Sequence, residues 1–372
     1  MLRITDIDVL TLDIKMKIPY KSAKKSEVVS QEYLKTNIVM IKTDNGITGY
    51  GEIPSIPRMF ETPEVVKDLF ISRFKDLIIN EDPFNLIDII TKITKKFKVS
   101  DQIIAGLDIA LHDLIAKYLN VPLYKLLGGK IKGKTAPASS LIPLLPPEEV
   151  AMVAHNYLKN GIKVLKMKVG DDPVLDIERV KSIREAVGDK VILNLDVGES
   201  WITAKNALRI IRQLERYGVE YIEQPVLAQD IDGLKEVTRN TDITIVADES
   251  VKPEFIIRLV SEKAADMLAL KPLNGGILIT KKYALIAHEA GLDCNIGTYV
   301  AQTGILDAAG IHLFISTPNI TVSEIGRSEI LLEDNPIKGI KIEEGLTKIF
   351  EEPGLGIKII NDLKLYMRNK NA

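Results

Sequence analysis

Five ionisable residues recur at nearly even intervals in the second half of the chain: Lys168, Asp196, Glu223, Asp248 and Lys271, spaced by 28, 27, 25 and 23 residues. Each closes a short apolar run. A single charged residue at such a place is ordinarily a solvated strand end, but five at one repeat length imply a shared mouth. Three carboxylates on successive elements offer hard oxygen ligands for Mg2+, with Mn2+ as an alternative cofactor, and leave room for a substrate carboxylate. Without a cation they would repel and raise one another's pKa. A metal-held substrate carboxylate acts as an electron sink, so its α-proton can leave to give an enediolate. Lys168 and Lys271 would flank that centre as acid and base. A basic lysine must be neutral, and burial together with a neighbouring cation lowers its pKa. Lys166 lies on the same strand face as Lys168 and is expected to supply that charge.

The elements that must carry these residues alternate. Apolar runs at 164–168, 191–196, 219–223, 243–248, 266–271, 292–297 and 320–325 predict strands, with 135–140 as the first. Amphipathic stretches such as 176–187 and 203–217 lie between them, closed by Gly188, Gly218 and Gly291. Eight strands joined by helices predict a parallel α/β barrel, whose active site sits at the C-terminal strand ends. An open doubly wound sheet is the competing architecture, but no glycine-rich nucleotide loop follows the first strand. Before the barrel, 37–42, the turn Asp44-Asn45-Gly46 and 47–52 predict an antiparallel pair. Helices opening at Pro63-Glu64 and at the cap Ser100-Asp101, the latter running to about Tyr118, complete an α+β unit that ends at Gly128-Gly129.

The 372 residues suit a barrel of about 250 residues plus an addition. A formal net charge of −2 gives no general attraction for nucleic acid or anionic membrane. One cysteine, Cys294, excludes an internal disulfide and a thiolate metal cage, and with four histidines any metal site must lean on carboxylates. No apolar run approaches the roughly 18 residues that span a bilayer, and the first residues lack a signal-peptide core, so a cytoplasmic location is expected.

In order and spacing these residues resemble the enolase superfamily, in its muconate-lactonizing subgroup. The resemblance rests on Lys166-Met167-Lys168, Asp196 with Trp201, Glu223-Gln224-Pro225, Asp248-Glu249-Ser250 and Lys271-Pro272-Leu273-Asn274-Gly275-Gly276. Gly49-Tyr50-Gly51-Glu52 and Pro353-Gly354-Leu355-Gly356 extend it across nearly the whole chain. It implies a (β/α)7β barrel, a modified TIM barrel, over 131–330. It also implies an N-terminal α+β capping domain over 1–130, with a segment 331–372 completing the cap. Lid loops near 18–30 and 52–60, with Tyr20 among them, would contact a small-molecule carboxylate substrate. Lys168 and Lys271 become the acid/base pair, Asp196, Glu223 and Asp248 the metal ligands, and a homo-oligomer, dimer or octamer, is implied.

Three departures bear on specificity. Relatives often carry asparagine two residues after the first ligand, where this chain has Gly198. Gln302 stands where glutamate is common. At the eighth strand Ser323-Glu324-Ile325-Gly326 lacks the Asp-x-Asp pair by which dipeptide epimerases hold a substrate amine. Glu324 resembles instead the single glutamate of muconate cycloisomerases, so Glu324 and Gln302 join Tyr20 as expected substrate contacts. The expected activity is a Mg-dependent isomerase, most like muconate cycloisomerase. A racemase or epimerase of an N-acylated amino acid or dipeptide comes second, followed by a dehydratase or o-succinylbenzoate synthase. A Schiff-base aldolase using Lys271 would leave the three carboxylates without a role, and a non-catalytic sugar- or metabolite-binding scaffold predicts no Mg2+-dependent exchange of substrate α-hydrogen with D2O.

Overall fold

Two alternating apolar sets share one long N-terminal strand. In the computed structural model, which describes residues 2–24, 27–55, 62–299, 302–360 and 362–367, that strand is β1 (Ile4–Lys24). Ile7 and Val9 face one core, while Leu12, Ile14 and Met16 occupy the opposite face and enter another. β1 thereby joins the cap to the barrel. It pairs antiparallel with β2 (Glu27–Thr43), which pairs with β3 (Thr48–Pro54). Helix α1 (Asp101–Tyr118), capped by Ser100, lies across this sheet. The contact is close enough that a Cβ at Gly51 would stand 1.9 Å from the Gly106 carbonyl oxygen, so glycine is required there. The expected lid loops fall partly outside the described residues, at 25–26 and 56–60.

The stretch expected to form the first barrel strand divides at Ala138. Thr135–Pro137 (β4) pairs antiparallel with a hairpin near the C-terminus, and only Ser139–Ile142 (β5) enters the barrel. Sequence periodicity cannot tell which partner an extended run will choose, so 135–140 read as one strand. Seven parallel strands follow: β6 (Val164–Lys168), β7 (Ile192–Asp196), β8 (Tyr221–Glu223), β9 (Thr244–Ala247), β10 (Met267–Leu270), β11 (Asp293–Ile296) and β12 (Ile320–Ser323). The Ser139 amide donates to the Ile325 carbonyl at 3.2 Å and closes the ring. Among the intervening helices, Pro173–Val187 starts at the cap Asp172, and Ala204–Leu214 is closed by a short 3-10 turn before Gly218. Among the described residues no helix is long and apolar enough to cross a membrane.

Buried carboxylates also join cap and barrel, Glu52 among them. Glu52, at 0% exposure on β3, accepts from the Thr303 amide (2.8 Å), Thr303 Oγ1 (2.8 Å), the Leu306 amide (3.3 Å) and Thr36 Oγ1 (3.2 Å). Thr303 caps helix α2 (Gly304–Ser316), so a cap-domain carboxylate completes the N-terminus of a barrel helix. Burial pushes Glu52 up to about 7, against the pull of these donors. The unfolded chain ionises near the ordinary 4.5, so this contribution to stability is full below pH 4.5 and is lost as pH rises through 7. At about 1.4 kcal/mol per tenfold in proton affinity, it is on the order of 3 kcal/mol. Glu52→Gln, which cannot ionise, is expected to flatten the pH dependence of the urea midpoint between pH 4.5 and 8.

Candidate active site

Parallel register brings the chemistry together. Lys168 pairs with Asp196 and Asp196 with Glu223, while Asp248 and Lys271 stand one residue beyond β9 and β10. All five expected residues meet at one mouth. Lys168 Nζ lies 2.6 Å from Asp196 Oδ2, and Lys271 Nζ is hydrogen-bonded to Asp248 Oδ2. Lys166, 1% exposed, places its Nζ 2.7 Å from Glu223 Oε2, 2.8 Å from Glu324 Oε1 and 3.3 Å from Asp196 Oδ2.

The electrostatics correct one expectation. Burial and Lys166 do press Lys168 towards neutrality, but Asp196 together with Tyr20 outweighs them and holds the ammonium well above its ordinary range. Lys271 is likewise raised, burial being overcome by Asp248 and then Glu223. Asp196 is held low because Lys168 and Lys166 outweigh its burial. Glu223 moves up, through burial against Lys166, with Asp196, Glu324 and Asp248 adding to the rise. In this arrangement the lysines are counter-ions.

Each carboxylate is drawn to its own lysine, so among the described residues no three acidic, histidine or cysteine groups are gathered at metal-holding spacing. The donor set nevertheless fits a hard cation. Glu223 Oε1 is buried without a hydrogen-bond partner, an acceptor for which the protein supplies no donor. Asp196 and Glu223 sit side by side in register, with Asp248 just past the next strand.

The three residues expected at the substrate are placed differently. Tyr20, 6% exposed, lies near enough to Lys168 to act on its charge. Glu324 is neither solvated nor open to a ligand. It is 0% exposed, with Oε1 accepting from Lys166, Tyr221 and Asn295 and Oε2 from Lys166 and Arg327. Lys166 and Arg327 overcome its burial and hold it down to about 2. Gln302, 2% exposed, donates to Asp307 Oδ1 at 2.8 Å and accepts from the Tyr299 amide. Asp307 also accepts from the Gly326 and Ser328 amides, so Gln302 belongs to a clamp joining the loops after β11 and β12.

Sequence reasoning missed Tyr221, Asn295 and Arg327. Tyr221 and Asn194 lie in register with Lys166, forming a layer two residues below the mouth. The signal was present: period two puts 166, 194 and 221 on the same faces as 168, 196 and 223.

With the geometry in place, the comparisons can be read. Residues 6–128 match the mandelate racemase / muconate lactonizing enzyme N-terminal domain, and 149–363 match the enolase C-terminal domain-like family. The chain belongs to the enolase superfamily, within its mandelate racemase / muconate lactonizing group. It is an isomerase of that superfamily. It is 36% identical over 326 residues to a hydrophobic dipeptide epimerase of Enterococcus faecalis, covering 86% of this chain and 90% of that one. The solved N-succinyl Arg/Lys racemase of Bacillus cereus superposes with a TM-score of 0.92 at 28% identity, covering 98% of each chain. Muconate cycloisomerase 1 of Rhodococcus opacus is 29% identical, with 99% of each chain covered. The family expectation thus holds. Within it the racemases and epimerases stand nearer than the cycloisomerases, which reverses the expected order.

Removing Glu324 would leave Arg327 and Lys166 buried with less compensation. Glu324→Ala is expected to cost about 3–5 kcal/mol of stability in urea unfolding, the range for breaking a buried ion pair. Tyr221→Phe removes one hydrogen bond to that carboxylate and a longer one accepted from Asn295 Nδ2 (3.4 Å), and is expected to cost about 1.5–3 kcal/mol.

Proposed function

We propose that this chain is a racemase or epimerase acting at the α-carbon of an N-acylated amino acid. The observation that carries the reading is the pair of lysines on opposite flanks of three carboxylate-bearing strands: Lys168 at the end of β6 and Lys271 just past β10. A substrate α-carbon between them would present one face to each. One lysine takes the proton, leaving enediolate character on the substrate, and the other returns a proton to the opposite face. Asp196, Glu223 and Asp248 would hold Mg2+ or Mn2+, which when bound would relieve the lysines as counter-ion and draw electron density from the substrate carboxylate. The Enterococcus faecalis dipeptide epimerase, 33% identical and with a TM-score of 0.87, has been solved with Mg and the dipeptide L-Leu-L-Tyr.

The end of β12 favours an acyl group over a free amine. An α-ammonium needs unpaired acidic oxygen, yet Glu324 is already matched by Lys166 and Arg327, and position 326 is a glycine. An amide nitrogen carries no charge and needs no such partner.

In D2O with Mg2+, the wild type is expected to exchange the α-hydrogen of both antipodes of an N-succinyl amino acid and to interconvert them. Lys168→Ala and Lys271→Ala should each abolish racemisation while sparing exchange of the antipode served by the remaining lysine. Full racemisation by either variant would end the proposal. Turnover of an unblocked dipeptide in preference to the acyl compounds would overturn the substrate class alone.

Lys271 also depends on a neighbour. The Gly297 amide donates to the Leu270 carbonyl at 2.7 Å, and a Cβ there would meet Lys271 Cε at 3.1 Å and Cγ at 3.2 Å. Gly297→Ala is therefore expected to slow exchange of the Lys271-dependent antipode by about tenfold, roughly 1.4 kcal/mol, and to leave the other unchanged. Deuterium NMR of each antipode separately measures both.

A further inference from the structure

Gly198, two residues past Asp196, read in the sequence as a lost polar contact. Its surroundings show what stands there instead. Gly198 and Glu199 both have left-handed backbone, φ 55° and 71°. The second holds that conformation with a full side chain, and asparagine tolerates it routinely, so the backbone alone does not demand glycine at 198. A Cβ at 198 would lie 3.3 Å from the carbonyl oxygen of Ala23, 3.8 Å from Asp196 Oδ1 and 4.0 Å from Glu249 Oε1. Ala23 belongs to the far end of β1, where it pairs with Val28 of β2.

That hairpin end is seated firmly on the barrel. Ala23 is 2% exposed and Ser22 8%, although both lie near the end of a long hairpin arm. The Lys21 carbonyl accepts from the Leu144 amide at 2.9 Å, just beyond β5. Tyr20 lies near enough to Lys168, at the end of β6, to act on its charge, and the Ala23 carbonyl faces the place a Cβ would take at Gly198, just beyond β7. Three consecutive strand ends carry the arm, and at the third a Cβ on residue 198 would crowd the Ala23 carbonyl by a few tenths of an ångström before the rest of a side chain is placed.

We infer that Gly198 is a positioning residue that sets how far the β1–β2 arm closes over the site. The arm's main chain fills the volume that a side chain at 198 would occupy beside Asp196. A larger residue there lifts Ala23, draws Tyr20 away from Lys168 and admits water to the mouth. The glycine and the depth of closure are thus one feature, and the substrate volume under the arm follows from it.

The test is Gly198→Asn, which keeps the left-handed backbone and adds only bulk. Its control is Gly218→Asn: Gly218 has φ 58° and ψ 44°, the left-handed helical conformation, and an added Cβ would meet nothing nearer than Arg184 Nη2 at 4.0 Å, so it carries the backbone change without crowding. Hydrogen exchange should show the Leu144 amide opening about tenfold more often in Gly198→Asn, comparable to loss of one main-chain hydrogen bond, with no change in Gly218→Asn. For an N-succinyl amino acid, KM should rise by more than kcat falls in the first variant only. Wild-type protection of Leu144 in Gly198→Asn, or equal effects in the two variants, overturns the inference. The kinetic readout rests on the racemase reading, whereas the exchange readout does not. Absence of turnover on every acyl amino acid would therefore defeat that reading while leaving the Leu144 result to decide this one.

Discussion

Charge neutrality inside the barrel is the constraint on which the rest depends. Four carboxylates, Asp196, Glu223, Asp248 and Glu324, are matched by four cations, Lys166, Lys168, Lys271 and Arg327, all nearly or fully withdrawn from water. Such a cluster is a poor way to stabilise a fold, because desolvating the charges offsets most of their attraction, and a packed apolar interior would serve as well or better. Its persistence therefore points to chemistry. The match also accounts for the corrected lysines. Burial and neighbouring cations already press Lys168 and Lys271 towards the neutral form, and Asp196 and Asp248 are the foremost groups that hold them charged. Once those carboxylates are satisfied by another cation, the same surroundings favour a basic lysine.

The cluster has two layers with different duties. The upper one, Lys168, Asp196, Glu223, Asp248 and Lys271, faces the mouth and can meet a substrate. The lower one, Lys166, Tyr221, Asn295 and Glu324 with Arg327 at its side, is closed and engaged with itself. Lys166 spans both, touching Asp196 and Glu223 above and Glu324 below. A rigid lower layer fixes where the upper side chains begin, which suits a reaction in which two bases must address opposite faces of one carbon.

The upper layer was legible because strand ends at one repeat length must converge, so spacing alone located Lys168, Asp196, Glu223, Asp248 and Lys271. The lower layer was less so. Tyr221 and Asn295 follow the period of two, but nothing local in the sequence says that a tyrosine inside a strand is a donor to a carboxylate 103 residues away. Glu324 was expected beside the substrate, and nothing local in the sequence says that Lys166 and Arg327 enclose its carboxylate. The long strand β1 escaped notice because its apolar pattern changes face between Val9 and Leu12, which breaks the alternation a reader follows. That change of face is what allows one strand to enter both cores.

The same strand ties specificity to the cap. Its middle is held in both cores and its sheet is anchored to the barrel by Glu52 at the N-terminus of α2, so the cap has little freedom to shift as a body. What remains adjustable is the arm beyond Lys15, where the pairing register of β1 with β2 shifts before resuming at Tyr20 and Gln31. Past that irregularity the Lys21 carbonyl holds the Leu144 amide, and Tyr20 and Ala23 lie by the ends of β6 and β7. A fixed cap with an independently seated arm lets the chemistry of the barrel stay constant while the volume offered to a substrate is set by a few residues, Gly198 among them. On the proposed reading, the acid/base machinery and the substrate preference of this protein are separable: the first would reside in the charge balance of the strand ends, the second in how closely one arm of β-structure rests on them.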